Sequence, residues 1–227
     1  MIIDGTNPAQ PLSRIDLRNA FYMDWQEFKV DRFYNVSMLG GGIYFSDQNI
    51  NLRLDIPYII TDVTFETTSG LGDIFIEGNF IFNASDSSSF ITGSTLIFPT
   101  ATRDELGFGK YVVAPLIGIT YAYGWGFLGI LFRDYLSFAG NESRKNVHEL
   151  SIQPLIKINF GKGWYSIFEP DVRINWISEK IFVPYTQEFG YMFNKNWLIS
   201  VKGGFHLFNG DKRYDWLAEL RLSFLYQ

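Results

Sequence analysis

From Val147 to Trp176 the chain reads VHELSIQPLIKINFGKGWYSIFEPDVRINW, and its apolar residues recur at every second position. Up to Phe160 the even positions hold His148, Leu150, Ile152, Pro154, Ile156, Ile158 and Phe160, against Glu149, Ser151, Gln153, Leu155, Lys157 and Asn159. Past Gly161-Lys162-Gly163 the alternation resumes, with Trp164, Phe168, Val172, Ile174 and Trp176 against Glu169, Asp171, Arg173 and Asn175. Side chains of a strand point alternately to its two faces, so each half presents one mostly apolar and one mostly charged face. A Gly-Lys-Gly turn that sets 160 opposite 164 keeps the even residues of both strands on one side. A soluble sandwich could bury one such pair. Strands of about 12 to 14 residues, however, outrun the usual ~5 to 6 of globular proteins and suit a tilted bilayer crossing. The pattern predicts a transmembrane antiparallel up-and-down β-barrel, apolar outside and polar inside.

The same period marks the rest of the chain. Residues 1 to 11 read as a loose polar lead, and residues 12 to 227 as one barrel domain. Strands are predicted at Leu12–Asp24, Tyr34–Phe45, from Ile50, from about Ile74 to Phe82, at Ser89–Phe98, Gly109–Tyr123 and Phe127–Phe138. The hairpin above follows, then Val183–Phe193, Trp197–Phe208 and Tyr214–Tyr226, making about twelve. A loop is expected from Ile59 to Gly70, and another, PTATRDELGF, from Pro99 to Phe108. Tyr111 to Phe132 carries no charge and has the length of a membrane helix. Its Pro115, its glycines at 118, 124, 126 and 129 and its Tyr-Gly-Trp-Gly centre instead favour two strands and a tight turn. Pro154 and Pro170 fall opposite each other, where a paired strand seldom accepts proline, and point to a bulge.

Connections alternate between short turns (SDQN, NASDSS, GWG, GKG, NKN) and generally longer, more charged loops, as an even-stranded membrane barrel requires. Trp125, Trp164 and Trp197 flank short turns, while Trp25, Trp176 and Trp216 lie near the long loops; two interfacial belts result. Aromatic residues make up 18% of the chain, with 22 Phe, 13 Tyr and 6 Trp, which suits such belts. Cysteine is absent, excluding a disulfide scaffold and thiolate metal sites. A net charge of −5 argues against a nucleic-acid partner. Met1 to Ser13 lacks the basic start and apolar core of a secretory signal, so the expectation is that one was removed or that the reading frame is truncated.

GLGDI at 70–74, FPTAT at 98–102, LGFGKYVVAP at 106–115, SIQPLIKINFGKGWY at 151–165 and the Glu-Pro at 169–170 resemble the outer-membrane barrel family linked by name to the meta-pathway of phenol degradation, relatives of which carry the label neuromedin U. The resemblance spans roughly Asn51 to Tyr226. It implies a bacterial outer-membrane barrel that passes small solutes, hydrophobic or aromatic ones among them, and it brings no catalytic residues. The partners it implies are outer-membrane lipid, a small-molecule solute and the barrel-assembly machinery. Such barrels often end on an aromatic residue, whereas here Gln227 follows Tyr226.

If the polar faces line a lumen, its acids are Asp16, Asp55, Asp73, Glu77, Glu149, Glu169, Asp171, Glu188, Asp215 and Glu219, and its bases Arg18, Arg53, Lys157, Arg173, Lys202 and Arg221. The interior is then mixed and net acidic, with Lys157–Glu169 and Asp171–Arg173 as neighbouring charges. Ala114, Leu116, Gly118, Thr120 and Ala122 offer an uncharged, small-residue lane, either a path for an apolar solute or a seat for a plug or inward loop. Neither His148 nor His206 has a serine placed for a hydrolase triad, and no ligand spacing surrounds them; no catalytic residue, metal site or cofactor is expected. A passive channel is the leading reading. A structural or receptor-like barrel with a plugged lumen is the alternative, and a barrel lipid hydrolase the weaker third.

Overall fold

The computed structural model describes residues 5–24, 32–62, 66–208 and 213–226. Residues 1–4, 25–31, 63–65, 209–212 and 227 lie outside them, among them Trp25 and Gln227. The described residues form fifteen strands: β1 Ser13–Asp24, β2 Arg32–Phe45, β3 Ile50–Thr61, β4 Thr68–Leu71, β5 Ile74–Asn83, β6 Ser88–Phe98, β7 Lys110–Tyr123, β8 Gly126–Gly140, β9 His148–Gly161, β10 Trp164–Phe168, β11 Val172–Asn175, β12 Lys180–Phe182, β13 Pro184–Met192, β14 Trp197–His206 and β15 Trp216–Tyr226. A single 3-10 turn, Asp104–Leu106, interrupts the connection from β6 to β7.

All pairing is antiparallel between staves adjacent in the chain, and β15 returns to β1, with Ser13 opposite Tyr226 and Met23 opposite Trp216. The sheet is therefore closed. β10 with β11 forms one stave, β12 with β13 another, and β4 folds back on β3 off the main path, so the barrel has twelve staves. Closure leaves no edge of unpaired backbone, which a bilayer would penalise heavily. The uncharged run from Tyr111 to Phe132 is the β7–β8 hairpin, and no helix among the described residues is long and apolar enough to cross a membrane. Where a loop is expected from Ile59 to Gly70, β3 continues to Thr61 and Thr68–Leu71 pairs with it.

Parity holds in every long stave. On β9, Ile156, Ile158 and Phe160 are exposed while Glu149, Ser151, Leu155 and Lys157 are buried, so the apolar face looks outward and the polar face inward. Outward aromatics gather at both rims. Tyr121, Tyr123 and Trp125 cluster at the short-turn end, as do Trp164 with Tyr191 and Trp197 with Phe224. At the other end Phe21 meets Trp216, Phe98 and Phe138 flank Tyr111, and His148 meets Trp176.

The Gly-Lys-Gly turn sets Tyr165 opposite Asn159 and Ile167 opposite Lys157, the pairing that matching 160 with 164 requires. It does so through a tight turn with Lys162 at φ 49°, followed by an irregularity at Trp164/Tyr165. Pro154 and Pro170 produce a different outcome from the expected bulge. Pairing with β9 lapses over Glu169-Pro170-Asp171 and resumes at Val172 opposite Ile152 with no residue inserted. Two residues without N–H groups remove ladder bonds without shifting register.

Candidate solute pathway

The lumen has three tiers. At the short-turn end the N-terminal lead is not loose: it turns inward ahead of β1. Ala9 packs among Ile81, Ile91, Leu116, Phe127, Leu131 and Leu155, all inward-facing residues of β5 to β9. Lys157 Nζ donates to Thr6 Oγ1 at 2.7 Å, and Arg14 Nη1 donates to the Gly5 carbonyl at 3.3 Å. Burial of Ala9 and Asn7 inside a barrel means that this segment fills the lumen there. Ala114, Leu116, Gly118, Thr120 and Ala122 occupy the inward positions of β7, and Leu116 abuts the lead. None of the five lines the larger cavity described below.

The middle tier is a belt of ion pairs. Asp16, fully buried, is held by Arg53 Nη1 at 2.8 Å, Arg14 Nε at 3.2 Å and the Ser223 hydroxyl at 2.6 Å. Asp55 joins Arg18 at 2.7 Å and Arg53 at 2.8 Å. This cluster exists because Gly40 stands opposite Asp55: a Cβ there would overlap the Asp55 carboxylate and stand 2.5 Å from Arg53 Nη2. Glu77 accepts from Arg133 at 2.8 Å, Thr95 at 2.9 Å and Asn79 at 2.7 Å. Across the lumen Glu188 takes the Tyr165 hydroxyl at 2.8 Å and pairs with Arg221, while Lys157 lies over the Tyr165 ring at 4.6 Å. Paired, hydrogen-bonded charges of this kind are what a narrow, poorly solvated interior tolerates.

Above the belt opens a vestibule of about 810 Å³. One wall is apolar and rich in aromatic residues: Tyr22, Phe33, Tyr34, Val36, Met38 and Ile59 from β1 to β3, with Phe75 of β5. The opposite wall carries Glu169, Asp171, Arg173, Lys202, Arg213 and Glu219. Arg173 bonds Asp171 at 2.5 Å and Glu149 at 2.9 Å, Arg213 pairs with Glu149, and Lys202 pairs with Glu169. Asp171 and Arg173 thus meet as neighbours, whereas Glu169 turns to Lys202 and Lys157 to Thr6 and Tyr165. Glu219 stands opposite Lys202 in the ladder.

PTATRDELGF forms the roof. Leu106 is buried beneath it, and Glu105, Leu106, Gly107 and Phe108 line the vestibule. Arg144 donates to the carbonyls of Asp104, Gly107 and Phe108, and Asp73 accepts the N–H groups of Phe108 at 2.6 Å and Ala101 at 3.1 Å. Asp73 therefore anchors a loop at the mouth of the barrel. Burial pushes its carboxyl above the ordinary range, against backbone donors that favour the charged form. Glycine is required beneath the roof, since a Cβ on Gly107 would stand 2.6 Å from Ala101 Cβ and overlap Asp73.

Arg14, Arg133, Arg213 and the Tyr165 hydroxyl were not singled out from the sequence. Parity marks the first two as inward; nothing local marks Arg213, which reaches Glu149 from a loop. His148 is an outward residue 3.8 Å from Asp134, and His206 stacks on Phe182.

Neither the family models nor the curated proteins contain a match to this chain. Solved structures do resemble it. An outer membrane channel from Pseudomonas putida superposes with a TM-score of 0.77 at 13% identity, covering 95% of this chain and 96% of that one. The NanC porin gives 0.64 at 12% identity over 94% and 99% of the two chains. The KdgM porin in complex with disordered oligogalacturonate gives 0.60 at 12% identity, again over 94% and 99%. At these identities the likeness is one of fold.

Proposed function

We propose that the protein is a bacterial outer-membrane barrel acting as a passive channel for small solutes, among them hydrophobic or aromatic compounds. The observation that carries this is the vestibule: a cavity of about 810 Å³ inside a closed barrel, aromatic on one wall and charged on the other. A barrel built only as a structural element gains nothing from leaving such a space open, since filling it with side chains would add packing contacts. An apolar wall with a few convergent polar groups is the usual make-up of a small-molecule site. The porins and channel that share the fold support transport, and the motifs resembling the meta-pathway barrels support an aromatic solute. Outer-membrane lipid against the outward aromatics, and insertion by the barrel-assembly machinery through the aromatic last strand, belong to the same proposal.

One feature favours the plugged alternative: the N-terminal lead seated among Leu116 and Leu155 narrows the periplasmic half. Reconstitution into planar bilayers distinguishes the two. Discrete conductance steps that small aromatic solutes transiently block are expected; a silent bilayer containing folded protein would refute passive conduction.

A further inference from the structure

Below the vestibule lies a second chamber of about 200 Å³, and Met38 and Phe75 line both, so the two spaces are contiguous. Three guanidinium groups, Arg18, Arg53 and Arg133, border the chamber against two carboxylates, Asp55 and Glu77. Extending the count to Asp16 and Arg14 behind them keeps one positive charge in excess. The carboxylates are fully engaged. Asp55 serves both Arg18 and Arg53, and Glu77 is divided among Arg133, Thr95 and Asn79. Two of the three cations are not, whereas Arg53 is held by Asp16 and Asp55. Arg18 forms one ion pair through Nη2, which also donates to the Met38 sulfur at 2.9 Å, and Arg133 forms one ion pair through Nη2 and has Tyr135 as a further neighbour; the Nε–H of each is buried without an acceptor. Buried donors in native structures are seldom left so, and the guanidinium groups that carry them both border this chamber.

We infer that this chamber is a carboxylate-binding site, and that the pathway takes small aromatic monocarboxylates. The ring would lie on the Phe75 and Met38 side where chamber and vestibule meet, and the carboxylate would take the unused terminal N–H groups of Arg18 and Arg133, neutralising the excess charge. The solute class rests on the channel proposed above; the site itself does not. A neutral arene would gain the apolar contacts alone, and an aromatic ammonium would face an excess of like charge.

Calorimetric titration of the folded, detergent-solubilised barrel with benzoate, benzyl alcohol and benzylammonium tests the site. Benzoate should bind about tenfold more tightly than either isostere, the scale of one charge-assisted hydrogen bond. Arg133→Gln should remove that preference. Glu77→Gln, which frees Arg133 from its ion pair, should strengthen benzoate binding several-fold. Opposite signs in two variants that break the same ion pair cannot come from misfolding, which heat-modifiable gel migration monitors separately. Equal affinity for the three ligands, or both variants shifting benzoate in the same direction, would overturn the site. Conductance without benzoate preference would leave the channel proposal standing and remove only this inference.

Discussion

Gly190 and Tyr165 face each other directly across the β10–β13 ladder, and replacing the glycine tests whether the inner wall is packed as described. A Cβ on Gly190 would stand 2.5 Å from Tyr165 Cε1 and nearer still to Cζ and the hydroxyl. Tyr165 is 1% exposed, pinned by its bond to Glu188 and by Lys157 above its ring, so it has nowhere to swing. Strand propensity alone would make Gly190→Ala stabilising, by about 0.5 to 1 kcal/mol. The structure gives the opposite sign. Overpacking costs about 1 to 3 kcal/mol, and loss of a hydrogen bond to a charged group about 1.5 to 3. The expected destabilisation is therefore about 2 to 5 kcal/mol. Guanidinium unfolding in lipid vesicles, followed by tryptophan fluorescence, measures it. Tyr165→Ala alone should cost about 3 to 5 kcal/mol, the range for emptying a buried aromatic site. The double variant should cost no more than Tyr165→Ala, because the added methyl then meets empty space. Additive single-variant costs, or a stabilised Gly190→Ala protein, would refute this account of the wall.

Glu188→Gln should destabilise the barrel by about 3 to 5 kcal/mol in the same assay, because it leaves Arg221 buried without its counter-charge; a change under about 0.5 kcal/mol would show that water reaches the pair. Removing residues 1 to 12 should raise single-channel conductance, since Ala9 and Thr6 then no longer fill the short-turn half; unchanged conductance would place the narrowest point in the ion-pair belt instead. Asp73→Ala strips the acceptor from Ala101 and Phe108, so limited proteolysis should cut the 99–108 loop faster than in the unaltered protein, with barrel stability little changed. Gly118→Trp should abolish the folded form, read as loss of heat-modifiable gel migration, because even a Cβ there stands 2.8 Å from the Ile130 carbonyl and overlaps Leu131.

The staves were legible because lipid favours apolar residues at outward positions, so parity alone assigns faces along β3, β9, β14 and β15; outward Asn19, Asn35 and Ser37, the first bonded to the other two, depart from it. Features that depend on closure were not. Ala9 contacts side chains from several staves, and no local pattern in GTNPAQPLS announces that. Asp16 on β1 finds Arg53 on β3, two staves away, a pairing that needs Gly40 between them to lack a side chain. The triple glycine at 40–42 is visible in the sequence as a weak point in a strand. Its role as the space occupied by an ion-pair cluster needs the neighbours on both sides.

Charge balance inside the barrel makes the same point in energetic terms. Ten acids against six bases on the polar faces would leave four carboxylates to be compensated in a narrow interior, and each uncompensated buried charge costs several kcal/mol. That deficit is itself a sequence-level signal that bases had been left out of the inward set. Arg14 follows by parity from Asp16 and Arg18 on the same strand, and Arg133 from the inward Leu131 and Phe127 of β8, a strand whose apolar first half hides its period. Both reach acids that would otherwise stand underpaired, Asp16 and Glu77. Arg213, outside the strands, completes Glu149. Counting charges by face and demanding near-neutrality therefore recovers Arg14 and Arg133 from sequence, as it does buried Lys110 at an inward position of β7, and leaves to the closed barrel only which acid each one meets.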